Sequence, residues 1–119
     1  MGGYVDGFVL PVPKSSLDAY RRMAETAGKV WREHGALDYV ECVADDVKPG
    51  ELTSFPQSVK LEPDETVVFA WIVYESREHR DRVNEQVMQD PRMKAFDPKS
   101  LPFDGKRMIW GGFKVLVHA

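Results

Sequence analysis

Apolar and polar positions alternate from Tyr4 to Leu10, with Tyr4, Asp6 and Phe8 on one side and Val5, Gly7 and Val9 on the other. A period of two predicts a strand, and Pro11 and Pro13, which cannot donate to a ladder, predict its end. The period then changes. Leu17, Tyr20, Ala24, Ala27 and Trp31 recur at steps of three and four, with Met23 and Val30 beside them, which predicts one amphipathic helix. Ser15 or Ser16 is its expected cap, Asp18 sits in its first turn, and Gly35 is its expected left-handed stop. Alternation returns over Leu37 to Ala44, with Tyr39, Glu41 and Val43 opposite Val40, Cys42 and Ala44.

A connection over residues 45–64 follows, carrying Pro49-Gly50, Pro56 and Pro63. About 20 structureless residues are unusual inside a compact domain, so residues 51–61 are expected to hold a short strand or a folded arm, with a partner chain as one candidate surface for it. Val67 to Tyr74 is apolar on both sides and predicts a strand buried on both faces. Ser76 then caps a charged helix with a thin stripe of His79, Val83, Val87 and Met88, ended by Asp90-Pro91. Pro98, Pro102 and Asp104-Gly105 predict loop, and residues 107–118 a last strand with a bulge or a close backbone approach at Gly111-Gly112.

The order β-α-β-(arm)-β-α-β predicts an α+β fold. It is a ferredoxin-like sandwich over residues 1–119, a four-stranded antiparallel sheet with two helices on one face and an inserted arm at 45–64. The two rows of strand residues differ. The smaller row, Val5, Gly7, Val9, Val40, Cys42, Ala44, Val68, Ala70 and Ile72, is assigned to the helices, where Trp31, Tyr20 and Met23 need room. The bulkier row holds Tyr4, Phe8, Tyr39, Phe69, Trp71, Met108 and Trp110 together with Asp6 and Glu41, and is assigned to the open face. So aromatic a face is too large an apolar patch for a monomer, which predicts a homodimer packed sheet against sheet.

The phrases YVDGFVLPVP (4–13), VWREHGALDYVEC (30–42), TSFPQSVKL (53–61), ETVVFAWIVYESREHRDRVN (65–84), MQDPR (88–92) and LPFDGKRMIWGGF (101–113) resemble the YbaA-like family of small uncharacterised bacterial proteins. The resemblance spans nearly the whole chain. It implies the dimeric α+β barrel fold and no established activity. Glu75-Ser76-Arg77-Glu78-His79 after a strand, with Asp90-Pro91 and Lys94-Ala95-Phe96 later, is more distantly similar to the strand–helix unit of antibiotic-biosynthesis-monooxygenase-like members of that fold.

Composition narrows the function classes. Hydrophobic residues make up 43% and charged residues 29%, in the range of globular proteins. The net charge of −3 and pI near 5.6 argue against nucleic acid as partner. No apolar run reaches the length of a membrane span, and the N-terminus lacks the pattern of a signal peptide. Asp6 stands where a myristoylation signal needs Ser or Thr. A lone Cys42 excludes an internal disulfide, and a cytoplasmic setting is expected.

The candidate chemistry is thin. Asp6 and Glu41, among aromatics, are candidate proton acceptors with desolvated carboxyls; the competing reading pairs them with arginines of a second copy. His79 is the third catalytic candidate, weighed against a half-buried core role, and His34 is either a ligand contact or a helix cap. Tyr39, Trp71 and Trp110 are candidate walls for a flat apolar ligand, or dimer core, and Arg80 a candidate anion contact, or part of an ion-paired face. No spacing suggests a metal site, and no phosphate loop or dinucleotide fingerprint suggests a cofactor. The expected function is a small-molecule-binding homodimer with cofactor-independent proton transfer or oxygenation in the barrel interior. The alternative is a non-catalytic stress or regulatory module that binds another protein through its dimer surface and arm.

Overall fold

The computed structural model describes residues 2–119. Strand β1 (Tyr4–Pro13) leads through a turn at residues 14–16 into helix α1 (Leu17–Glu33), then edge strand β2 (Asp38–Val43). A short helix α2 (Phe55–Ser58) interrupts the arm before β3 (Glu65–Tyr74). Helix α3 (Arg77–Gln89), the single turn α4 (Pro91–Lys94) and strand β4 (Ile109–Lys114) complete the chain. The four strands pair antiparallel in the order β2-β3-β1-β4. With α1 and α3 on one face, this is the ferredoxin-like α+β arrangement read from the periodicities.

Local chemistry sets most boundaries as expected. Ser76 Oγ accepts from the His79 amide at 3.1 Å and caps α3, and Asp90 ends α3 while its carboxylate caps α4. Gly35 has φ +116°, the conformation that favours glycine at a helix stop. Neither serine caps α1 with its side chain: Ser15 lies inside the preceding turn and Ser16 makes no cap hydrogen bond. Strand β1 runs through both prolines. Beyond Val9 its one neighbour is β3, so a proline nitrogen facing away from β3 breaks no ladder bond. Strand β4 is shorter than expected and carries no bulge, since Gly111 and Gly112 pair in unbroken register with Gly7 and Asp6. A Cβ at Gly112 would collide with the Tyr4 ring, so the glycine serves a close approach.

The register corrects the two rows. Asp6 lies opposite Ile72, which lies opposite Tyr39; Phe8 lies opposite Ala70, which lies opposite Glu41. Tyr4, Asp6, Phe8, Tyr39 and Glu41 therefore share the helix face with Val68, Ala70 and Ile72, and Trp110, paired with Phe8, joins them. Met108 also packs under α1, against the cluster of Leu10, Val12, Tyr20, Ala24 and Val68. Val5, Gly7, Val9, Val40 and Cys42 stand on the open face with Phe69 and Trp71. Residue size on the strands misled the assignment because α1 supplies the space. It presents Ala24, Ala27 and Gly28 to the sheet, and a Cβ at Gly28 would stand 2.9 Å from the Tyr39 ring.

The arm folds on its own sheet. Val59 packs with Val9, Val67, Ala44 and Leu61 on the open face, and the Phe55 ring meets Phe69 edge-on at 5.9 Å. Of the two expected forms, short strand or folded arm, it takes the second, with one turn of helix packed on the same chain. The register makes a direct test possible. Ile72→Ala should lower the unfolding free energy by about 2–5 kcal/mol, whereas Trp110→Ala, at a 60% exposed position, should cost less than about 1 kcal/mol in urea denaturation.

Candidate functional site

Three polar arrangements bear on the helix face of the sheet: a carboxylate cluster, a pair of clasps and a buried ion pair. The first is centred on Glu41. Tyr20, from α1, donates its hydroxyl to Glu41 Oε1 at 2.6 Å, and Tyr39, two residues before Glu41 on β2, donates to Oε2 at 2.7 Å. Residues i and i+2 of a strand share a face, and Tyr20 reaches the same carboxylate from the buried stripe of α1. Burial and the neighbouring carboxylate push both phenols well above the usual tyrosine range, so both remain protonated donors.

Glu41 and the two phenols border a cavity of about 310 Å³ between α1 and the sheet. Its remaining walls are almost wholly apolar: Phe8 and Ile72 below, Met23 and Trp31 from α1, and Phe103 and Met108 from the closing segment. That segment, residues 91–108, is pinned at both ends by ion pairs. At its start Asp90 accepts from Arg92 Nη2 at 2.9 Å and meets His34 Nε2 at 2.9 Å, while Arg92 also holds Glu33 at 2.8 Å. At its end Arg107 grips the buried Glu65 through two bonds of 2.8 and 2.7 Å and bonds Asp104 at 2.9 Å. These contacts hold the carboxyls of Asp90, Glu33, Glu65 and Asp104 below their usual range, chiefly through the arginine hydrogen bonds.

The third construction surrounds Asp6, which is 1% exposed. Its Oδ1 stands 3.4 Å from Arg80 Nη1, yet makes no hydrogen bond. Arg80 also donates to the Tyr4 hydroxyl at 3.1 Å, with its guanidinium over the Tyr4 ring at 5.1 Å from the centroid. Beside this pair Asn84 Oδ1 accepts from Trp31 Nε1 at 3.0 Å and from Tyr74 at 3.1 Å. Burial raises the Asp6 carboxyl above its usual 3.8, against the pull of Arg80, Asn84 and Tyr74.

The candidate residues thus divide. Glu41 and Tyr39 come together at the cavity, and Trp110 flanks it by stacking on Phe8 at 6.3 Å. Trp71 lies on the opposite face, against Phe69 at 5.6 Å. Asp6 and Arg80 form a buried pair within one chain, where arginines of a second copy were the expected partners. His34 belongs to the Asp90 clasp. His79 accepts from the Glu75 amide through Nδ1 at 3.0 Å and packs edge-on to Tyr74, finishing the start of α3. Sequence reasoning missed Tyr20 as a polar group, Asn84, and the Glu65–Arg107 pair. Asn84 left a signal, since Arg80, Val83, Asn84 and Val87 follow the inward stripe of α3. Among the described residues no cluster of His, Cys, Asp and Glu could hold a metal ion.

The fold places the chain with a known structural class. It resembles the crystal structure of a NIPSNAP family protein of unknown function from Agrobacterium tumefaciens (TM-score 0.59, 15% identity, 96% of this chain and 88% of that one). An uncharacterized NIPSNAP domain protein from Burkholderia xenovorans is also similar (TM-score 0.55, 15% identity, 98% and 94%). At these identities the likeness concerns the fold. The sequence is more specific. Residues 3–105 match the family described as "Protein of unknown function (DUF1428)", and the chain belongs to that family. It is 54% identical over 114 residues to the uncharacterized protein YbaA of Escherichia coli strain K12, covering 96% of this chain and 97% of that protein, and equally to YbaA of Shigella flexneri.

Two signs of pH dependence follow. Asp6, raised on folding, contributes stability that is full below its unfolded value near 3.8 and is lost as pH rises through the higher folded value. Glu65, lowered on folding, contributes stability above its unfolded value near 4.5 that is lost as pH falls through the lower folded value. Urea denaturation from pH 3 to 7 should therefore show the difference between wild type and Asp6→Asn shrinking as pH rises. The difference between wild type and Glu65→Gln should grow.

Proposed function

We propose that this protein is a small-molecule-binding homodimer whose ligand occupies the cavity between α1 and the sheet. The observation that carries the reading is a carboxylate held by two phenols at the wall of an otherwise apolar space. A pocket of this size, with few polar groups that converge on one point, is the usual form of a small-ligand site. The reading moves the site from the barrel interior to the helix side, because Asp6 and Glu41 both face the helices. The chemistry that the residues present could supply there is proton transfer at Glu41. Residues 1–119 act as one unit in this account.

The dimer part of the reading rests on the other face. Phe113 is 64%, Ile109 46% and Phe69 42% exposed, and Val5, Trp71 and Val73 lie half-buried among them. Such a face suits a second copy packed sheet to sheet. A lone exposed Cys42 and the absence of any disulfide suit a reducing, cytoplasmic setting. Among the described residues no helix is long and apolar enough to cross a membrane.

Indole is a suitable neutral probe. At about 100 times its Kd it should raise the unfolding free energy by about 2.7 kcal/mol, and Ala27→Phe, which fills the cavity, should abolish the effect. Stabilisation that survives this substitution would place the ligand elsewhere. Light scattering should find a dimer at micromolar concentration and a folded monomer for Phe113→Lys. A monomeric wild type would remove the dimer from the account.

A further inference from the structure

We infer that the cavity selects ligands with an apolar, flat body and a hydrogen-bond donor, above all a primary ammonium, and discriminates against carboxylic acids of the same shape. This rests on the binding reading above and concerns the chemical class that the same site takes. Every side-chain donor that lines the cavity is already engaged within the protein. Tyr20 and Tyr39 both give their one proton to Glu41, and Trp31 gives its indole proton to Asn84. Both phenols are pushed up by burial and by Glu41, so neither becomes an anion that would recruit a second proton.

Acceptor capacity, in contrast, remains. An ionised carboxylate offers about four lone-pair positions, and the two phenols occupy one on each oxygen. Each phenol oxygen keeps lone pairs as well. The methionine sulfurs of Met23, Met93 and Met108 are weak acceptors and donate nothing. A ligand carboxylate entering this space would meet no free side-chain donor and one like charge at its wall. An ammonium would meet a carboxylate already oriented by two hydrogen bonds, and aromatic faces from Phe8, Trp31 and Phe103 suited to a cation and to a flat ring. A buried polar group left without its partner costs more than a made bond gains, so the discrimination falls hardest on the acid.

Arg21, Lys29 and Arg32 do not reverse this. They border an adjoining groove of about 760 Å³ between α1 and the edge strand β2, and all are exposed. Glu41 and its phenols line both spaces, whereas none of the three basic residues lines the cavity.

The test uses three ligands on one ring system: tryptamine, 3-ethylindole and indole-3-propionate, titrated calorimetrically into the full chain at pH 7. Tryptamine should bind at least about tenfold more tightly than indole-3-propionate, and Glu41→Gln should reduce tryptamine binding by about tenfold while leaving 3-ethylindole within about twofold. Equal or tighter binding of indole-3-propionate overturns the inference and leaves the cavity reading intact. Binding of none of the three, 3-ethylindole included, overturns both. Should Glu41→Gln fail to fold, the ranking of the three ligands on the wild type still decides the class.

Discussion

The register that sets Asp6 opposite Ile72 and Tyr39, and Phe8 opposite Ala70 and Glu41, is the constraint on which the molecule depends. A slip of one residue would turn each strand over and send Glu41 to the open face. What holds the register is the fit between large rings on the sheet and small residues on α1. Tyr39 occupies the space that Gly28 leaves, while Ala24 and Ala27 bring the helix close enough for Tyr20 to reach Glu41. The same fit leaves the 310 Å³ that no side chain fills.

The cavity is closed by a segment that the sheet does not organise. Residues 91–108 contain one turn of α-helix, a short 3-10 turn and loop, so their position depends on their ends. Asp90 serves three functions at the first end: it caps α4, holds Arg92 and holds His34. Arg107 serves at the second end, tying the start of β3, the end of the arm at Lys60 and the loop at Asp104. Between these clasps apolar contacts, such as the Phe103 ring edge-on to Tyr20 at 5.8 Å, hold the closing wall. That arrangement suits a wall that yields to a ligand without loss of the fold.

Much of the architecture was legible in the sequence. Strand β3 reads correctly as a strand, Ser76 as a cap, Gly35 as a helix stop, and the element order as a ferredoxin-like sandwich; burial of β3 on both faces does not hold in the single chain, where Phe69 on its open face is 42% exposed. The rows on β1 and β2 were not legible, because alternation defines two faces without saying which one a helix covers. Bulk on the strands pointed one way, and small residues on α1 decided the other. The candidate site was half legible. Glu41 and Tyr39 stood out as a carboxylate and an aromatic on one strand face, but Tyr20 read as core, since nothing in a helix pattern tells which tyrosine hydroxyl finds a carboxylate 21 residues away. His79 and His34 drew attention as rare titratable groups, and both close backbone or loop contacts.

The two faces of the sheet therefore carry different roles in this account: ligand under the helices, second copy on the open side. Native mass spectrometry of protein taken directly from cells tests both at once. The account predicts a dimer bearing a reproducible small-molecule mass with basic character, absent from the Ala27→Phe variant. A bare mass in gentle conditions, or an adduct that persists when the cavity is filled, would contradict it.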